Sequence, residues 1–173
     1  MVYCKKFRGW LERSFSSLLQ KPSKSNKSES KEAIREKQKD ILMYKFGAKS
    51  KSRLETCHPD IQKICNELIK IMDVTVLEGV RTKEQQEEYV RTGKSKTMNS
   101  KHLEQGDGYS HAVDLAPFPI DWNDRERFVY MQGMIRGIAL QLGIEVRSGI
   151  DWDSDGQVKD HTFFDGPHFE LKK

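Results

Sequence analysis

Two short stretches hold the residue types that chemistry needs. The first, residues 100–114, contains His102, His111 and Asp114; the second, residues 163–171, contains Asp165, His168 and Glu170. His102, Asp114 and His168 would together supply two imidazoles and one carboxylate, a donor set suited to a borderline divalent cation such as Zn²⁺. Three protein donors leave the fourth tetrahedral position to a water, and chemistry at the ion requires that open position. Either stretch alone is a weak signal, because a single histidine beside a Gly-rich turn is more often a surface or capping residue. The pairing of His102 with the Asp165-x-x-His168 motif raises the metal reading above coincidence.

A second acidic pattern lies between the two stretches. Asp151, Asp153 and Asp155 with Gly156 match the first half of a calcium loop, in which alternating carboxylates converge on one hard cation and glycine permits the turn. The second half departs from that pattern. Its twelfth position is Thr162, and Asp160 is the carboxylate that could close the cage. A plain acidic turn is the competing reading.

The elements that must position these residues follow from periodicity. Ile61, Ile64, Cys65, Leu68, Ile69 and Met72 recur at helical spacing and predict a helix over residues 59–72, with His58 and Pro59 near its start. Residues 73–80 have the β-branched content of a strand, and Thr82 is a suitable N-cap for a helix over 83–91. Asp114 leaves a predicted strand through Pro117 and Pro119. Phe128, Met131, Ile135, Ile138, Ala139 and Leu142 share one side of a helix over 125–142, which Gly143 ends. Residues 144–147 predict a short strand, the acidic loop 151–160 follows, and the last strand carries His168. Long helices with short strands in hairpin-like order predict an α+β fold, a small antiparallel sheet flanked by helices.

A chain of 173 residues suffices for one domain with a core and an appendage. No run approaches the roughly eighteen apolar residues that a membrane span needs. Residues 1–50 hold 13 Lys and Arg against 5 Asp and Glu, and the rest of the chain 17 against 21, so a cationic arm precedes a mildly acidic body. Such an arm points to an anionic surface or polymer as partner, the competing reading being a soluble tail. Phe7, Trp10, Leu11, Phe15, Leu18 and Leu19 lie at helical spacing among Lys5, Lys6, Arg8 and Arg13, which fits a short helix at an anionic membrane surface. A stripe packed on the body of the protein is the alternative. A Ser/Lys-rich linker follows over residues 21–30, and residues 32–46 read as a second charged helix. Cys4, Cys57 and Cys65 are odd in number and lack a CxxC pair, so they read as free thiols made in a reducing compartment. Glu12, Arg13 and several serines interrupt what would be the apolar stretch of a signal peptide. Synthesis in the cytoplasm without a cleavable signal is therefore expected.

Taken in order, Ser100-x-His102, the run from Ser110 to Asp114, and Asp165-x-Pro167-His168-Phe169-Glu170 resemble the zinc peptidases of bacterial cell walls. These are the D-alanyl-D-alanine carboxypeptidases and the L-alanyl-D-glutamate endolysins of tailed phages. The likeness covers residues 46–171 and includes Leu77 to Thr82, Gln85 and Gln86 with Tyr89 and Gly93 to Ser95, and Arg147 to Asp153. The family spacing from first histidine to aspartate is seven residues, whereas His102 and Asp114 are twelve apart. The difference reads as a loop, residues 104–109, inserted ahead of Ser110. His111 is nearer Asp114, but three residues along a strand put two side chains on opposite faces, which favours His102.

The resemblance implies a hedgehog-like, D-Ala-D-Ala-peptidase-like catalytic domain over residues 46–173 behind a basic extension of residues 1–45. It implies His102, Asp114 and His168 as zinc ligands and Asp165 as the general base, with Glu170 the runner-up. Arg81 would hold the substrate and polarise its carbonyl, and Ser100, Gln85 and Trp152 would bind substrate. The implied reaction is zinc-dependent hydrolysis of peptidoglycan stem peptides on the cell wall, as an L-alanyl-D-glutamate endopeptidase of a phage or prophage. A D-alanyl-D-alanine carboxypeptidase is the nearest alternative, and a non-catalytic zinc-stabilised wall-binding module is the alternative of another class. A monomer with no nucleic-acid partner is expected.

Overall fold

The computed structural model describes residues 44–160 and 162–172. The expected helix over residues 2–19, the linker after it and most of the charged helix over 32–46 lie outside them. Tyr44–Phe46, the described end of that second segment, have no regular structure. The elements in chain order are α1 (Ala48–Leu54), α2 (Pro59–Leu68), β1 (Val74–Glu78), α3 (Lys83–Arg91), β2 (Ala112–Pro117), α4 (Arg125–Gln141), β3 (Val146–Ser148) and β4 (His168–Leu171).

The helix starts are written locally. Pro59 occupies the first turn of α2, where its missing N–H costs nothing, and the His58 ring accepts a hydrogen bond from the Asp60 N–H. Thr82 and Gln85 form a reciprocal capping box at α3, and Asp124 accepts from the Arg127 N–H at α4. Helix α2 stops at Leu68, short of the predicted Met72. The next residues form a turn that still presents buried Ile69 and half-buried Met72 to the core, which is why the apolar periodicity runs past the helix.

The four strands form one antiparallel sheet in the order β1-β2-β4-β3. One face carries Val76, Val113, Leu115 and Phe169 into a core closed by Ile61, Ile64, Cys65 and Leu68 of α2 and by Phe128, Met131, Ile135 and Ala139 of α4. Burying each Val, Leu, Ile, Phe or Met side chain among them contributes about 1.5–3 kcal/mol. Helix α1 lies against β1, with Ser50 accepting from the Val76 N–H and Arg53 donating to the Val76 carbonyl. The exposed edge is thereby occupied by side chains. Cys57 and Cys65 are buried free thiols, and burial pushes the Cys57 thiol up to about 12, so it is inert. No described helix is long and apolar enough to cross a membrane.

Candidate metal centre and active-site cleft

The other face of the sheet carries the polar residues. Asp114 on β2 and His168 on β4 are direct cross-strand partners, and Glu170 shares a face with His168 because it is two residues along the strand. A bulge between Val76 and Glu78 sets Glu78 of β1 opposite Asp114. Arg147 of β3 faces Glu170. His102 comes from the loop before β2. The Arg81 N–H donates to the His102 carbonyl (2.8 Å), and the Ser100 hydroxyl accepts from the His102 N–H (3.2 Å).

Three donor atoms converge. His102 Nε2 lies 3.2 Å from Asp114 Oδ1 and 3.2 Å from His168 Nδ1, and the latter is 3.1 Å from Asp114 Oδ1. Bonds of about 2.1 Å to a central ion would set ligand atoms roughly 3.0 Å apart in an octahedron and 3.4 Å in a tetrahedron. The observed triangle lies between those values, so the residues fit a divalent cation without rearrangement. The ring tautomers fit as well. His102 Nδ1 is 2.9 Å from the Gly79 carbonyl, an acceptor only, so the proton sits there and the Nε2 lone pair faces the centre. His168 Nε2 is 3.1 Å from Glu170 Oε2, which likewise turns the Nδ1 lone pair inward. Gly79 must be glycine for lack of space: a Cβ would stand 2.4 Å from both the Arg53 carbonyl and the Thr56 hydroxyl.

The ion-free electrostatics suit a cation. Burial opposes charge on Asp114, but the two imidazoles outweigh it and hold its carboxyl well below the usual range. Burial also opposes charge on His168, yet hydrogen bonds with Asp114 and Glu170 push its pKa up to about 9. Glu170 resists desolvation through bonds to His168 and Arg147, whose Nε and Nη2 both reach Oε1 at 3.0 and 2.5 Å, and its pKa is lowered. The runner-up base thus supports His168 from behind its ring while also lining the cleft.

A cleft opens in front of the triangle, lined among others by Arg81, Tyr89, Ser100, Trp152, Phe163 and Asp165. Asp165 has its pKa raised, first by burial and then by the Asp114 carboxylate. Arg81 is buried, paired with Glu78, bonded through Nη1 to Gln86 Oε1 (2.7 Å) and stacked 4.6 Å over Tyr89. Its Nε has no hydrogen-bond partner among the described residues. Trp152 stacks on both His168 and Phe163 and donates from its indole N–H to the Phe163 carbonyl. Gln85 requires correction: its side chain is spent in the capping box and does not line the cleft. The neighbouring Gln86 is buried and links Arg81 to Ser95 and to the Thr97 carbonyl. Its position with Tyr89 and Val90, at i, i+3 and i+4, was the signal for an inward face. Gln132, unremarked in the sequence, is buried and donates to the Gly166 and His168 carbonyls, which fixes the start of β4.

Asp151, Asp153 and Asp155 bring carboxylate oxygens within 4.8 Å of one another. Asp151 is buried; its Oδ2 accepts from Arg136 (2.5 Å) and from the Gly156 N–H (3.1 Å), while Oδ1 has no hydrogen-bond partner among the described residues. Asp160 is exposed and does not join this group, a correction to the expected cage. His111 is not with His102. It lies beside His58 and Asp107, as the strand-face argument requires.

A family model described as phage L-alanyl-D-glutamate peptidase matches residues 42–172. The chain is similar to the L-alanyl-D-glutamate peptidase of Escherichia phage T5, with 33% identity over 141 residues that span 75% of this chain and 99% of that relative. Among solved structures it resembles the Serratia marcescens L-Ala D-Glu endopeptidase ChiX, with a TM-score of 0.60 and 29% identity over 75% of this chain and 92% of that one.

Proposed function

Because the chain belongs to the phage L-alanyl-D-glutamate peptidase family, we propose that it is a zinc-dependent endopeptidase of peptidoglycan stem peptides. It cuts the L-alanyl-D-glutamate bond and serves as a phage or prophage endolysin. The observation that carries this reading is the convergence of His102 Nε2, Asp114 Oδ1 and His168 Nδ1, with both ring tautomers set, at the floor of a cleft that also holds Asp165 and Arg81. Two imidazoles and a carboxylate also serve non-haem iron, but membership of a hydrolase family favours a redox-inert ion. Zn²⁺ held there supplies a Lewis acid and a water whose pKa is lowered toward ~7.

Asp165 is the proton carrier. Its raised pKa brings it closer to that of the attacking water, so it takes the proton and returns it to the leaving amine. Arg81 supplies fixed positive charge where the scissile carbonyl develops negative charge, and its pairing with Glu78 and Gln86 holds it in place before substrate arrives. Ser100 orients the His102 backbone, and Trp152 walls the cleft and backs His168. Residues 46–173 constitute the catalytic domain.

Calcium is proposed as a second cofactor, held by Asp151, Asp153 and Asp155 without Asp160, because their carboxylate oxygens lie within 4.8 Å of one another and Arg136 meets only Asp151 Oδ2, leaving the buried Oδ1 without a partner among the described residues. Residues 1–45 are proposed to dock on anionic membranes through the arm's cations, each contributing about 1 kcal/mol near such a surface. Vesicle binding undiminished in a 46–173 fragment would refute that role.

The deciding experiment digests purified peptidoglycan and identifies the new termini by mass spectrometry. New N-terminal D-glutamate supports the assignment, and release of D-alanine alone would make the enzyme a carboxypeptidase. Asp165→Asn should keep zinc while losing about 10²–10⁴-fold in rate. Full activity in that variant would remove Asp165 from the mechanism, and absence of turnover by the intact protein would leave a wall-binding module.

A further inference from the structure

A second group of donors of the same chemical type lies elsewhere on the domain. His58 caps α2, His111 precedes β2, and Asp107 sits in the inserted loop between His102 and Ser110. His111 Nε2 is 2.8 Å from Asp107 Oδ2, and His58 Nε2 is 3.7 Å from the same oxygen. The two rings stand 5.1 Å apart, nearly perpendicular. We propose that His58, Asp107 and His111 form a second site for a borderline divalent cation of the zinc class, distinct from the catalytic centre.

The backbone brings the three donors together without any ion. The His58 N–H donates to the Ser110 carbonyl (2.8 Å), and the Ser110 N–H donates to the Thr56 carbonyl (3.0 Å), so the start of α2 is clamped beside the start of β2. On the loop, Asp107 Oδ1 accepts from the Tyr109 N–H (3.2 Å), and this turn leaves Oδ2 to the imidazoles. The edges of 2.8 and 3.7 Å bracket the roughly 3.4 Å of a tetrahedral ion, and small side-chain rotations would equalise them. Two imidazoles and one exposed carboxylate select Zn²⁺, Ni²⁺, Co²⁺ or Cu²⁺ over Ca²⁺ or Mg²⁺, which prefer all-oxygen cages. The cluster borders a hollow lined by Asp60, Ile144 and Glu145, which gives an ion access.

The ring tautomers rank this site below the catalytic one. His58 Nδ1 accepts from the Asp60 N–H, so the neutral ring carries its proton on Nε2. Coordination through Nε2 moves that proton to Nδ1 and gives up the cap, and Asp60 Oδ2, 3.8 Å away, must swing closer to accept it. His111 must free its Nε2 from a proton shared with Asp107 in the same way. At the catalytic centre the outward ring nitrogens already hold their protons against the Gly79 carbonyl and Glu170, so no tautomer change is needed there and that site binds first and more tightly. Once filled, the second site ties the tip of the inserted loop to α2 and β2.

The test uses the full chain, stripped with a chelator and titrated with Zn²⁺ against a chromophoric competitor. The expected result is about two tight-to-moderate equivalents differing at least tenfold in affinity. His111→Ala and Asp107→Asn should each lose only the weaker one, and His102→Ala only the tighter one. Hydrolysis of soluble wall fragments should be unchanged in His111→Ala at one equivalent of zinc. Nitrogen-15 spectra of the wild type should show the His58 Nδ1 and Nε2 signals exchanging character during the second equivalent. A single equivalent in the wild type overturns the proposal, as does a second equivalent that survives in His111→Ala. The outcome for the catalytic assignment is read separately from His102→Ala.

Discussion

Gly149→Ala is the substitution that best tests how the cleft is built. Gly149 is not in a left-handed conformation, so alanine suits its backbone and only space opposes it. A Cβ there would stand 2.3 Å from the Asp165 carbonyl oxygen, 2.9 Å from the Asp165 Cβ and 3.0 Å from the His168 Cβ. Ordinary contact begins near 3.4 Å, so the segment carrying the proposed base and a proposed metal ligand must retreat by about 1 Å, a misplacement that can cost 10²-fold in rate. The same retreat stretches two backbone bonds, from the Gly149 N–H to the His168 carbonyl and from the Asp165 N–H to the Gly149 carbonyl, each 2.8 Å. Overpacking of this kind costs about 2 kcal/mol, or roughly 6–10 °C in Tm for a domain this size. The assay is kcat/KM on a purified stem peptide at 20 °C, with circular dichroism showing the variant folded. A variant with wild-type kcat/KM and Tm would refute the close approach and the mechanism that depends on it.

Glu170→Gln replaces an acceptor-only partner of His168 and leaves the Arg147 charge unpaired, so zinc affinity measured by chelator competition should fall about 10–100-fold; unchanged affinity would leave Glu170 a bystander. The metal-free protein should lose stability as pH rises from about 6.5 through about 9, because His168 has a raised folded pKa and its stabilisation is complete only below its unfolded value. Asp114, with a lowered pKa, contributes the opposite limb and is lost only in strong acid. Zinc competes with the His168 proton, so the stabilisation that zinc confers should grow over the same alkaline range; thermal melts with and without chelator at pH 6, 7.5 and 9 test both signs. Calcium should raise Tm in the wild type and not in Asp155→Asn, and a flat titration in the wild type would dispose of the loop site.

The candidate ligands converge as their spacing suggested because their chemistry restricts them to a few residue types, and the fold was legible because Ile61, Ile64, Cys65 and Leu68 or Phe128, Met131 and Ile135 follow a helical period. The support behind the ligands was less so. Glu170 is two residues from His168 in any antiparallel strand, but whether it faces the open side of the ion or the back of the ring depends on which imidazole nitrogen points inward. That is a side-chain torsion, invisible to spacing. Gln85 and Gln86 are equal in type, and only the helix phase separates a capping residue from one that steers Arg81. Asp160 has the right type for a cage, but its carboxylate is not among the oxygens that converge with Asp151.

The register that buries the core also assembles the site. Val113, Leu115, Phe169 and Leu171 must face inward, and this alone forces Asp114 and His168 outward as neighbours, with Glu170 and Arg147 beside them. A slip of one residue would exchange the core and site faces together, so hydrophobic patterning protects the proposed metal centre. His102 escapes that control because it comes from a loop, and it is held instead by the Gly79 carbonyl and the Arg81 N–H. Residues 104–109 fall after those two clamps. They also fall before a third, where the His111 N–H donates to the Lys101 carbonyl (2.9 Å). The loop is therefore held between fixed ends, so its length can vary without moving His102 or Asp114.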